Sequence, residues 1–136
     1  MRILALDHGT KRIGVAVSDE LKVIASPLEF IPAEELDAAL RRLLELIQLK
    51  DVELILVGMP RNMDGSYGPS AEKVKEFVAQ IRAVTQVPVR TWDERLTSAQ
   101  ANRVMIEANV RRDKRKEKVD AMAAAVLLQS FLDSQS

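Results

Sequence analysis

Apolar and polar positions along this chain follow two alternating periods. RILALD at residues 2–7 is a short apolar run closed by a carboxylate, as expected for a strand covered on both faces. HGTKR then supplies turn chemistry, and Ile13, Val15 and Val17 alternate with Gly14 and Ala16, so the first two strands read as a hairpin. A third extended stretch covers about residues 23–31, where Pro27 suits a sheet edge because proline lacks the ladder donor. After Pro32 the period changes, and Leu36, Leu40, Leu43, Leu44 and Ile47 mark one face of a helix over about 34–50. ELILVG reads as a buried strand ending at Gly58, followed by the loop MPRNMDGSYGPS. Ser70 is the expected cap of the next helix, whose apolar face is Val74, Phe77, Val78 and Ile81. VPVRTW is the fifth strand and ends in Asp93-Glu94. Thr97 to Gln100 reads as a capping box opening a helix to about Ala108, and a final helix spans about 117–132. The order βββαβαβαα predicts a mixed sheet with helices on its faces.

The 136 residues fit one domain with a real core. Apolar residues at 47% and charged residues at 29% are an ordinary globular balance, and the absence of cysteine removes disulfides and thiolate metal sites. Residues 121–128 form the longest apolar stretch, well short of the roughly 20 residues of a membrane span. The opening residues carry charge at Arg2 and Asp7 rather than the apolar centre of a secretion signal, so the expectation is a cytoplasmic domain. Net charge is zero, which argues against indiscriminate coating of nucleic acid, yet RRDKRKEK at 111–118 concentrates basic groups. That run reads either as a solvated loop or as a phosphate-contacting arm.

Acidic residues fall at the ends of core elements. Asp7 closes the first strand, Asp93 and Glu94 close the fifth, and Asp120 immediately precedes AMAAAVLL. Parallel strands present their C-terminal ends to one crevice, where ligands bind. If the first and fifth strands run parallel, Asp7 and the Asp93-Glu94 pair open on one edge, and the first turn of the last helix can add Asp120. Converging carboxylates repel one another, and a hard divalent cation removes that cost. Two such ions about 3.5–4 Å apart clamp the attacking and leaving oxygens of a phosphoryl displacement. On the residues alone other readings stay open: Asp7 as a turn former, Asp93-Glu94 as solvated charges, and Asp120 as an anion favoured by a helix N-terminus.

Four segments, LALDHGTKRIGVAVSD, LILVGMPRNMDGS, TWDERLTSAQA and KVDAMAAAVLLQSFL, occur in this order and together resemble the YqgF family of Holliday junction resolvases or pre-16S rRNA nucleases. The resemblance implies an RNase H-like α/β fold, a five-stranded mixed sheet flanked by helices, as a single nuclease domain over residues 1–136. It also implies phosphodiester hydrolysis with Mg2+ or Mn2+ on a nucleic-acid partner. Carried over by motif, Asp7, Glu94 and Asp120 are the catalytic residues and metal ligands, with Asp93 a further ligand candidate ranked behind Glu94. His8 departs from the bulkier apolar residue expected there, and reads as packing in preference to a general base. Gly9 and Thr10 are candidates to offer backbone N–H groups to a phosphate. Lys11, Arg12, Arg61, Asn62 and Arg95 are candidate phosphate contacts. Gly58 and Pro60 are expected to shape the loop.

The resemblance favours 5′-end processing of the 16S rRNA precursor, an activity of ribosome biogenesis suited to a monomer. Resolution of Holliday junctions in DNA recombination and repair, suited to a dimer, is the alternative. A non-catalytic nucleic-acid-binding module is a further one, disfavoured because anionic groups facing phosphates serve no binder. DHGTKRIG also resembles the first phosphate loop of sugar kinases and actin-like ATPases, but those proteins need two domains and a second such loop. Trp92, Tyr67 and three phenylalanines are too few for base stacking to dominate affinity, so recognition by backbone shape is expected.

Overall fold

The structure, a computed structural model, describes residues 1–9, 11–60, 68–94 and 121–135. Five strands, β1 (Arg2–His8), β2 (Arg12–Ser18), β3 (Ala25–Pro32), β4 (Val52–Met59) and β5 (Val89–Asp93), form one sheet in the order β3-β2-β1-β4-β5. β1, β2 and β3 are antiparallel in succession, whereas β4 pairs parallel to β1 and β5 parallel to β4. This is the mixed α/β sheet the sequence pattern predicts. The ends of β1, β4 and β5 consequently open on the same edge.

Strand alternation sorts the core into two layers. Leu4 and Leu6 of β1, with Ile55, Val57 and Met59 of β4, pack against the helices α1 (Leu36–Leu49) and α2 (Pro69–Val84). Ile3 and Ala5, with Leu56, face the helix α3 (Met122–Gln135). Ala5, Ala16 and Ala25 on the sheet meet Ala124 and Ala125 on the helix, so small side chains let α3 lie close. Leu127, Leu128, Phe131 and Leu132 complete that layer, each contributing about 1.5–3 kcal/mol by burial. β3 takes the edge position that Pro27 forecast.

Gln129 fixes α3 against the sheet. Its amide N–H2 donates to the Val23 carbonyl at 3.0 Å, and its Oε1 accepts from the Ala25 N–H at 2.9 Å. Replacing Gln129 by alanine leaves both backbone groups without these partners. Chemical denaturation should register a loss of about 1–2 kcal/mol.

Two boundary expectations need correction. Ser70 does not cap α2: the helix begins at Pro69 with Gly68 at the cap position, since the fixed φ of proline suits the first helical residue and starts the helix before Ser70. Gly58 does not end its strand either, because β4 continues through Met59 and Gly58 pairs with Trp92 inside the sheet. The capping box at 97–100, the helix to 108, the basic run at 111–118 and the start of the last helix lie outside the described residues. Among the described residues no helix is long and apolar enough to cross a membrane.

Candidate active site

Asp7 is the penultimate residue of β1 and follows the parity of Ile3 and Ala5, which places it on the α3 face. On β5 the same face carries Arg90, whose guanidinium lies 5.4 Å over the Phe131 ring, and Trp92, whose ring meets Phe131 edge-on at 5.1 Å. Glu94 follows Trp92 by two residues, just beyond the strand. The parallel register therefore delivers Glu94 to the same edge and face as Asp7. The two carboxyl groups are hydrogen-bonded to each other. Asp93 pairs with Met59 in the register, and its charge is felt by Glu94.

A carboxyl–carboxyl hydrogen bond requires a proton, and Glu94 supplies it. Burial pushes the Glu94 carboxyl up to about 7, and the negative charge of Asp7, the hydrogen bond to Asp7 and the charge of Asp93 push in the same direction. Protonated Glu94 thus donates to the Asp7 carboxylate near neutrality. This is the electrostatic condition of a site where two acidic groups have been brought together at a cost that a cation relieves. Among the described residues no group of three or more potential ligands assembles. Asp120, the third candidate, lies outside them, as do Thr10, Arg61, Asn62 and Arg95.

Gly58 enters the site, which the sequence reading missed. A Cβ there would stand 2.8 Å from Glu94 Oε1, 3.3 Å from Glu94 Cγ and 3.0 Å from Leu127 Cδ2. The available signal was a glycine inside the apolar run LILVGM, where strands ordinarily place a side chain.

His8 occupies the opposite face from Asp7. Its ring packs on Phe77 of α2 with centroids 4.7 Å apart, and burial is the main cause that lowers its pKa. Removing a general base costs about 10²–10⁴-fold in rate, whereas His8→Phe should leave cleavage within a few fold of the parent enzyme. A steady-state nuclease assay distinguishes the two outcomes.

Gly9 needs a correction in its mechanism. Its N–H donates to the Arg12 carbonyl at 2.9 Å and closes the β1–β2 turn, so it is already committed rather than open to a phosphate. Glycine is required for that closure, because a Cβ would lie 2.7 Å from the Arg12 carbonyl oxygen. Lys11 is exposed in the same turn, and the Arg12 guanidinium sits 5.2 Å over the Phe30 ring.

The architecture is that of the RNase H-like resolvases. RuvC of Thermus thermophilus, solved with a Holliday junction substrate, superposes with a TM-score of 0.65 at 16% identity over 100% of this chain and 97% of that one. The fowlpox virus resolvase, solved with Holliday junction DNA, gives 0.60 at 14% identity over 99% of each chain. The chain belongs to the RuvX family, whose model, described as Holliday junction resolvase, matches residues 1–134. Relatives in Desulforamulus reducens (47% identical, 98% of each chain covered) and Geobacillus kaustophilus (50% identical, 99% of each covered) both carry the provisional name pre-16S rRNA nuclease. Membership makes this chain a nuclease, a hydrolase of phosphodiester bonds.

Proposed function

We propose that this chain is a divalent-metal-dependent nuclease that processes the 5′ end of the 16S rRNA precursor, acting in the cytoplasm as a monomeric single domain. The observation that carries the reading is the Asp7–Glu94 carboxyl pair at the C-terminal edge of parallel strands. Hard oxygen donors of this kind fit Mg2+ or Mn2+, and the elevated Glu94 pKa is the cost a bound cation would offset. Asp7 and Glu94 would hold the ion, with Asp120 as a third ligand on the strength of its motif and its place in the sequence just before α3. Asp93 is the lesser ligand, since Glu94 is the residue hydrogen-bonded to Asp7. A bound divalent ion supplies charge neutralisation at the phosphate and lowers the pKa of the attacking water.

The remaining tasks belong to side chains. Glu94 must release its proton for the pair to act as a dianion, and Asp7 accepts the hydrogen bond until then. Lys11, Arg12, Arg61, Asn62 and Arg95 are the phosphate contacts that orient the backbone. His8 takes no part, being turned toward Phe77.

Holliday junction resolution is the second reading, favoured by the description of the matching family model and by the junction-bound titles of the structural neighbours. One assay separates the two: cleavage of a 5′-extended 16S rRNA fragment, unrelated single-stranded RNA and a synthetic four-way junction, each with and without Mg2+. Precursor rRNA cut in preference, by a monomer in solution, supports the proposal. Preferential paired cuts in the junction by a dimer would replace it with the second reading.

A further inference from the structure

We infer that Gly58 is a positioning residue for Glu94: the space left by its missing side chain on β4 is where the Glu94 carboxyl lies when it meets Asp7. The inference rests on the reading of Glu94 as a metal-binding group. Glycine is a poor strand residue, so its presence inside β4 asks for a cause. The backbone offers none, because Gly58 does not adopt the left-handed conformation and pairs regularly with Trp92. Its neighbours Val57 and Met59 point into the layer under α1 and α2, which leaves position 58 alone to decide what fills the α3 face at this end of the strand.

What fills it is the Glu94 side chain. Even a methyl group would stand 2.8 Å from Oε1 and 3.3 Å from Cγ, so the carboxyl would have to move. The third neighbour, Leu127 Cδ2 at 3.0 Å, is the free end of a rotatable side chain and can turn aside. Glu94 cannot move to the same end without losing Asp7. An alanine at position 58 should therefore leave the sheet intact and spoil the spacing of the two carboxyl groups.

The test uses the full chain in six forms: parent, Gly58→Ala, Leu127→Val, Glu94→Ala, and the doubles Gly58→Ala/Leu127→Val and Gly58→Ala/Glu94→Ala. Cleavage of the 5′-extended 16S rRNA fragment gives kcat, KM and the Mg2+ concentration for half-maximal rate, and thermal unfolding gives Tm. The expected result is that Gly58→Ala lowers kcat at least about tenfold with the RNA KM within about twofold, and raises the Mg2+ requirement. Leu127→Val should recover Tm in the Gly58→Ala background without recovering kcat. The Tm lost through Gly58→Ala should shrink when Glu94 is already alanine.

Recovery of kcat by Leu127→Val would overturn the inference, because the effect would then run through α3. So would parental kcat and Mg2+ dependence in Gly58→Ala, or an equal loss of Tm with and without Glu94, failure of both forms to fold included. Parental activity in Glu94→Ala would instead remove the reading of the site on which the inference stands.

Discussion

Asp7→Asn should reduce divalent-dependent cleavage by at least about 1,000-fold in kcat/KM, equivalent to the several kcal/mol a correctly held metal ion contributes. The same substitution should stabilise the metal-free protein above pH 7, by on the order of 1 kcal/mol once solvent around the half-exposed pair is allowed for. The two effects share one cause. Asp7 and Glu94 are held in hydrogen-bond contact, and the negative charge of Asp7 is among the forces that push Glu94 up to about 7. Asparagine keeps the shape of the side chain, removes that charge, and removes a ligand with it. Loss of activity accompanied by a higher Tm marks a group retained for chemistry at the expense of stability. Loss of activity with a collapsed Tm would mark Asp7 as structural.

Metal-free protein should also lose stability as pH rises from about 5 to above 7, and Mg2+ should restore it. The folded-state pKa of Glu94 is about 7 against an ordinary value of 4.5, so the folded state binds this proton more tightly than the unfolded chain. The contribution is fully present below about 4.5 and gone once pH has passed the folded value. Its size is about 1–2 kcal/mol after allowance for solvent screening. His8 acts with the opposite sign: its folded pKa is lowered, so its contribution is present above the ordinary 6.5 and falls away as pH drops through the folded value. Denaturation of the His8→Phe variant across pH 4.5–8.5 therefore isolates Glu94. Mg2+ at about 100 times its dissociation constant should add about 2.7 kcal/mol at pH 8. A flat pH profile in His8→Phe, with no response to Mg2+, would contradict the assignment of Glu94.

The sheet was readable because its signals are local. Ile13, Val15 and Val17 alternate against Gly14 and Ala16, Pro27 marks an edge, and the change to helical spacing after Pro32 is abrupt. The convergence of Asp7 and Glu94 was accessible only conditionally, because the parallel pairing of β1 with β4 and of β4 with β5 joins residues far apart in the chain. The preference for Glu94 over Asp93 rests on the motif resemblance, since strand parity cannot be used before the face covered by α3 is known. Gly58 reads as the last strand residue and a shaper of the loop, because PRNMDGS turns polar soon after it, whereas the ladder continues to Met59. Its relation to Glu94 is a three-dimensional contact with no imprint on spacing. Gly9 reads as a phosphate contact because a residue without a side chain permits close approach, but the turn itself uses its N–H for Arg12.

Crystals of this chain grown with Mn2+ and measured at the manganese absorption edge would show whether the carboxyl pair holds a metal ion. The expected result is an anomalous peak within coordinating distance of carboxylate oxygens from both Asp7 and Glu94, with the hydrogen bond between them gone. A manganese peak elsewhere, with Asp7 and Glu94 still sharing their proton, would contradict it.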